Sequence, residues 1–303
     1  MFDILFLGTG ASTPSRDYAL PAVMVRHGQD MVLLDCGEGT QRQIMVSPLS
    51  FMKISAIFVT HLHGDHFYGL PGLVQTMGMM GRKDPLVIRG PPGTAEAVDA
   101  ILKICPGEIG FDLDVVDMAP GEQVPVGKLL VSSFATVHGV DSQGYLIKAP
   151  DVRGKIDADK ARSLGISGKD FATLEAGGEV NGVRLSDICA PDKKGKVLAY
   201  TGDTRPCDSV REAVKGADVL IHEATYLKSQ AEHAEEFFHS TAADAATIAR
   251  DCGCRHLFLI HISNRYKDRG ECLKEAAEIF PRTHVPNDLS MYRITAGGGV
   301  RSV

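Results

Sequence analysis

Thr60-His61-Leu62-His63-Gly64-Asp65-His66 follows directly on the apolar run Ala56-Ile57-Phe58-Val59, and the reading of this stretch decides the fold. Three imidazoles and one carboxylate fall between positions 61 and 66. A single histidine is ordinarily a core or surface residue, but four ligand groups so close together are the mark of a metal site. A strand turns alternate side chains to one face, so His61 and His63 can address one ion from the point where the strand ends. Gly64 permits a sharp turn, after which Asp65 and His66 face a second position. Imidazole suits zinc, manganese or iron, and the hard carboxylate argues against a soft thiolate site. HxHxDH therefore reads as a two-metal site.

Working outward, further apolar runs end in the same kinds of group. A strand over Leu129 to Val137 leads into His138-Gly139, Lys196 to Tyr200 leads into Thr201-Gly202-Asp203, and Leu257 to Ile260 ends in His261. In layered α/β folds ligands sit at the carboxyl ends of strands, and the second half of the chain restates the layout of the first. The collected set places His61, His63 and His138 on one ion and Asp65, His66 and His261 on the other. Asp203 bridges them, and Asp65 counts as catalytic as well as ligating. Two ions about 3.5–4 Å apart lower the pKa of a shared water and stabilise both oxygens of an in-line displacement, which matches phosphodiester hydrolysis. The leaving alkoxide needs a proton. His239, just ahead of a helix start where Thr241 and Asp244 have capping-box spacing, can supply it with support from Glu223 at the end of another strand. Simple capping is the other reading of His239. Asp35, after the apolar run Met31 to Leu34, is read either as an orienter of a ligand histidine or as a helix cap.

Composition bounds the rest. A chain of 303 residues with 44% hydrophobic and 23% charged residues is ordinary for a globular enzyme. The net charge of -6 provides no general attraction for a polyanion, so a nucleic acid would have to be met by local basic patches. Seven cysteines, at 36, 105, 189, 207, 252, 254 and 272, form no CxxC pair, which fits reduced thiols in a cytoplasmic protein. No apolar run approaches the ~18 residues of a membrane span, and Met1 to Gly8 reads as a first strand. Asp151 to Gly182 is rich in charge and glycine and carries no run that would build a core. It reads as a flexible arm inserted in a single domain covering 1–303.

Several longer motifs sharpen this: Phe6-Leu7-Gly8-Thr9-Gly10, Asp35-Cys36-Gly37-Glu38-Gly39-Thr40-Gln41, Gly69-Leu70-Pro71-Gly72-Leu73 and Thr201-Gly202-Asp203-Thr204-Arg205-Pro206. They are joined by His222-Glu223-Ala224-Thr225, His239-Ser240-Thr241, His261-Ile262-Ser263-Asn264-Arg265-Tyr266 and Asn287-Asp288-Leu289. Together with HxHxDH they resemble the ribonuclease Z family of tRNA 3′-processing endonucleases in the metallo-β-lactamase superfamily. The resemblance implies an α/β fold, an αββα sandwich of two similar halves with an inserted arm. It implies two zinc ions per subunit, with manganese or another divalent metal as alternatives. It further implies removal of the 3′ trailer of precursor tRNA, leaving a 3′-hydroxyl on the tRNA. The implied assembly is a cytoplasmic homodimer whose arms each grip the tRNA cleaved by the partner. The stretch Gly165 to Leu174 lacks the proline of the family's Gly-Pro-centred arm motif. A broader phosphodiesterase or 3′ exoribonuclease like ribonuclease BN is the alternative within this chemistry, and a non-catalytic RNA- or metal-binding protein the alternative outside it.

Overall fold

The apolar runs read from the sequence become neighbouring strands. The structure is a computed structural model that describes residues 1–104 and 109–303, so the expected thiol of Cys105 lies outside the described residues. The first part of the chain forms β1 (Phe2–Gly8), β2 (Ala22–His27), β3 (Asp30–Leu34), β4 (Ala56–Phe58), β5 (Leu86–Gly90) and β6 (Leu113–Asp117). Between them lie helices α1 (Thr40–Val46), α2 (Gly64–Phe67), α3 (Leu70–Met79) and α4 (Thr94–Ile104). The chain continues through β7 (Gln123–Val126), β8 (Leu129–Ala135) and β9 (Gln143–Lys148).

Residues 150–196 form a compact unit separate from 1–149 and 197–303. It holds α5 (Ala158–Ser163), α6 (Asp170–Glu175) and a hairpin of β10 (Glu179–Val180) and β11 (Val183–Arg184). Ala161, Ile166, Leu174, Val183 and Ile188 bury one another inside it. The expectation that 151–182 builds no core is thereby corrected. The apolar residues are spaced singly among charges and glycines, so no run announces them, and two of the five lie beyond Gly182. The unit replaces the turn of a hairpin, because Lys148 at the end of β9 is the ladder partner of Val197.

The remainder forms β12 (Val197–Tyr200), α7 (Asp208–Ala213), β13 (Val219–Glu223), α8 (Ala231–Glu236), α9 (Ala242–Asp251) and β14 (His256–Ile260). It ends with α10 (Gly270–Ile279), β15 (Thr283–His284), β16 (Met291–Ile294) and β17 (Val300–Ser302). One sheet runs in the order β17-β16-β1-β2-β3-β4-β5-β6, the other β15-β14-β13-β12-β9-β8-β7. The layers therefore do not coincide with the halves of the sequence. β7 to β9 join the second sheet, while β16 returns to the first and pairs with β1, Phe2 opposite Ile294.

Strand alternation sorts the core. Phe2, Ile4 and Phe6 face Tyr145, Leu198, Ile221 and Phe258 between the sheets. Leu5 and Leu7 face outward, into a cluster shared with Ile44 of α1 and Leu73, Val74 and Met77 of α3. Across the second sheet Leu220 and Leu257 meet Ala245, Ala246 and Ala249 of α9 and Ala276 of α10. Strands buried on both faces read as continuous apolar runs, and the result is an αββα sandwich.

Candidate metal centre

The proposed ligands meet where strands of both sheets end. His61 and His63 follow β4, and His138 lies in the loop after β8, which stops at Ala135, short of the expected Val137. Asp203 follows β12 and His261 follows β14. Gly202 allows Asp203 to come in: its φ is +60°, and a β-carbon there would lie 2.6 Å from Thr60 Cβ. His261 is itself left-handed at φ 52°.

All seven residues are brought together. His63 Nδ1 lies 3.1 Å from His61 Nε2 and 3.2 Å from His138 Nε2. His261 Nε2 lies 3.3 Å from both Asp65 Oδ2 and Asp203 Oδ2. Asp203 spans the two groups, with Oδ1 3.4 Å from His66 Nε2 and Oδ2 3.7 Å from His61 Nε2. Ser12 N–H donates to Asp65 Oδ2 at 2.9 Å and fixes that carboxylate.

The outer nitrogens reveal which lone pairs point inward. Thr60 Oγ donates to Asp35 Oδ2 (3.0 Å), so its oxygen accepts from His61 Nδ1 (3.0 Å). His66 Nδ1 donates to Asp35 Oδ2 at 2.7 Å, and His138 Nδ1 to the Phe238 carbonyl at 3.1 Å. Thr225 Oγ donates to Glu223 Oε2 and accepts from His261 Nδ1, at 2.6 and 2.8 Å. In these four rings Nδ1 is engaged on the outer side and Nε2 is the atom turned to the centre, whereas His63 turns Nδ1 inward. The buried atoms His66 Nε2 and Asp203 Oδ1 find no hydrogen-bond partner. Converging imidazole lone pairs and carboxylates, two of them orphaned, suit a divalent cation.

The field agrees. Burial, with neighbouring His66, holds His61 well below the usual histidine range, so its ring stays neutral. Burial opposes a charge on His66 as well, but Asp203 and Asp35 outweigh it and draw positive charge to that ring. Burial would likewise neutralise Asp203, yet His261 and His66 keep it ionised.

His239 and Glu223 also meet. Glu223 is buried at the end of β13 and its Oε1 lies 2.8 Å from His239 Nδ1. Burial disfavours the imidazolium, but the Glu223 charge and hydrogen bond prevail, so the pKa of His239 rises to about 9. Thr241 caps α9 through Asp244 in a capping box, which places His239 just outside the helix, with capping left to Thr241. His239, His138, Asp65 and Asp203 line one cavity of about 690 Å³.

Asp35 is an orienter: the N-cap of α1 is Gly39, and Asp35 takes donors from Thr60, His66 and the Tyr200 hydroxyl, the last at 2.7 Å. Sequence reasoning missed Tyr200 and Thr225. Both stand at strand ends beside predicted ligands, which was the available signal. His222 turns away, its Nδ1 bonded to the Glu223 carbonyl.

Comparison with known proteins fits this geometry. Residues 30–262 match the model of the beta-lactamase superfamily domain. Ribonuclease Z of Methanosarcina acetivorans is 41% identical over 297 residues, covering 95% of this chain and 97% of that protein. Ribonuclease Z of Sulfurisphaera tokodaii is 42% identical over 298 residues, covering 97% and 99%. The crystal structure of human tRNase Z, short form, superposes with a TM-score of 0.73 at 28% identity, covering 97% of this chain and 99% of that one. The sandwich and its strand-end centre define a hydrolase of the metallo-β-lactamase fold. Within that superfamily, the chain belongs to the ribonuclease Z family.

Proposed function

We propose that the protein is a zinc-dependent endoribonuclease that removes the 3′ trailer of precursor tRNA and leaves a 3′-hydroxyl on the tRNA. The observation that carries the reading is the His239–Glu223 pair, 2.8 Å apart, in which His239 lines the cavity of the metal centre and Glu223 is buried behind it. His61, His63 and His138 would hold one zinc ion, Asp65, His66 and His261 the second, with Asp203 between. Bound there, the ions supply Lewis acidity to the phosphoryl oxygens and the field that ionises a water.

The chain's own residues do the rest. Glu223 keeps His239 protonated through neutral pH, and His239 donates that proton to the departing 3′ oxygen. Thr225 and Asp35 hold the ligand rings in one tautomer. The trailer leaves with a 5′-phosphate.

We further infer a homodimer acting in the cytoplasm, with the 150–196 unit as the tRNA-gripping arm. Support for the dimer is the exposure of four large apolar side chains, Met45 and Val46 on α1 and Met79 and Met80 at the end of α3, a helix in contact with α1. No described helix is long and apolar enough to cross a membrane.

The test is purified protein with end-labelled precursor tRNA, the cut being mapped and bound metal measured. A single cut at the trailer junction with two zinc ions per chain is expected. Stepwise shortening from the 3′ end would replace this reading with an exoribonuclease, and full activity with one ion or none would remove the two-metal chemistry.

A further inference from the structure

We propose that the rings of Tyr68 and Phe237 are stacking platforms for the unpaired nucleobases on the two sides of the scissile phosphodiester, Phe237 for the base 5′ of the cut and Tyr68 for the base 3′ of it. The inference rests on the ribonuclease reading and adds how the RNA strand is held at the centre.

The cavity wall carries four carboxylates, Glu38, Asp65, Asp203 and Glu236, and among the described residues no lysine or arginine. Asp65 and Asp203 belong to the metal centre and His239 serves the leaving oxygen, so beyond the reacting phosphate the wall has no lysine or arginine to grip the strand. What it offers instead is aromatic. Tyr68 and Phe237 both line the cavity, yet are 66% and 52% exposed, unusual for rings beside so buried a cluster. Every nucleobase has a π face, so such rings hold a single strand without reading its sequence.

Each ring is tied to a reacting group. Tyr68 is seated on Gly64, inside HxHxDH: a β-carbon at Gly64 would fall 2.4 Å from Tyr68 Cε2. Its position is thus fixed relative to His63 and Asp65, while most of the side chain stays open. Phe237 follows α8 and directly precedes Phe238, which is left-handed at φ 58°, an expensive conformation for an aromatic residue. That turn is fastened on both sides. The Phe238 carbonyl accepts from His138 Nδ1, and the Arg205 guanidinium lies 4.8 Å from the Phe238 ring centre. Phe237 is therefore delivered two residues from His239. Since His239 protonates the leaving 3′ oxygen, the nucleoside carrying that oxygen lies on the Phe237 side, and the trailer's first nucleotide on the Tyr68 side.

The experiment uses the whole protein and its Tyr68→Ala, Phe237→Ala, Tyr68→Phe and Phe237→Tyr variants. The substrates are precursor tRNAs with the natural base or an abasic nucleotide at the position just before or just after the cut. A single-stranded oligonucleotide carrying 2-aminopurine at each of these positions, with a methylene in place of the scissile 3′ oxygen so that the metal-loaded protein binds without cleaving it, reports stacking by quenching. Each alanine variant should raise KM about tenfold on the natural substrate and lose the quenching, from a stacking contribution of about 1–3 kcal/mol per base. The ring-preserving variants should behave as wild type. Phe237→Ala should make no difference when the 5′ base is already absent, nor Tyr68→Ala when the 3′ base is absent. Equal losses on natural and abasic RNA, exchange of the two dependences, or unchanged KM and quenching would overturn the proposal. If the wild type bound and quenched the oligonucleotide but cut no precursor tRNA, the processing function would fail while the platforms stood.

Discussion

Asp35 shows how much of the centre is decided by residues that touch no metal. It adopts φ 57°, and in that strained pose its carboxylate collects Thr60 N–H, Thr60 Oγ, His66 Nδ1 and Tyr200 Oη, all within 3.0 Å. Asp35→Asn keeps the shape but turns one acceptor into a donor facing His66. Metal affinity should fall about 10- to 100-fold, the usual effect of losing a ligand's orienting partner, measured by competition with a chromophoric chelator. Unchanged affinity would mean that packing alone orients His66. His239 gives a pH signature. Its pKa is raised to about 9 in the fold, against 6.5 unfolded, so its charged pair with Glu223 stabilises fully below 6.5 and is lost as pH rises through about 9. As the proposed proton donor it should set an alkaline limb for precursor cleavage. Glu223→Gln removes the charge that raises the pKa, so this limb should move to lower pH by at least about one unit; a limb that stays put assigns the proton to another group. Both carboxylates were visible in the sequence as strand-terminal acids. Asp35 stayed ambiguous there because a carboxylate before a helix start serves equally well as a cap, and only the position of His66 decides.

Among the elements, the strands that deliver ligands were the readable ones. β4, β12 and β14 lie inside sheets and are buried on both faces, which leaves them as unbroken apolar runs; β4 and β14 pair in parallel on both sides, β12 only with β13. β7 was not read, since Pro125 interrupts Gln123–Val126; it is an edge strand, where a missing N–H is tolerated. β9 and β16 were missed because Gln143-Gly144 and Arg293 break their apolar pattern, and β16 in addition takes its register from the distant β1. The start of α9 was legible from spacing alone, and it bears on the site because it anchors the His239 turn. Thr241→Ala removes the side-chain acceptor for the Asp244 N–H and should cost about 1 kcal/mol of stability, read by denaturant unfolding. The pH limb of cleavage should stay where it was, since His239 keeps Glu223. A shifted limb with unchanged stability would show that the cap acts on the proton donor and not on the helix.

For the molecule as a whole, the arm is the testable division. Over Asp151 to Gly182 it carries five basic and six acidic residues, and in the fold Arg153 and Arg162 approach Glu175 and Asp159 at 3.6 and 3.0 Å. Such exposed pairs are weak and can be exchanged for phosphates. Because Lys148 and Val197 are already ladder partners, residues 150–196 can be replaced by a short turn without parting β9 from β12. The shortened protein should keep its cooperative unfolding and hydrolyse a small activated phosphodiester nearly as before, while precursor tRNA binding drops steeply. Neutralising single arm lysines should lower the salt dependence of binding by about one unit of slope for each phosphate left without its cation. Precursor cleavage at the normal rate without the arm would end its role as an exosite. The unit's own small core was illegible because its apolar residues never adjoin. The pairing of Phe2 with Ile294 has a consequence for biosynthesis. At about 5–20 residues per second, β1 waits on the order of tens of seconds on the ribosome for its neighbour β16, and His261 emerges almost as late. For most of that interval the nascent chain displays His61, His63, Asp65 and His66 without Asp203 and His261, so loading of the proposed metal centre would fall together with final folding at the end of translation.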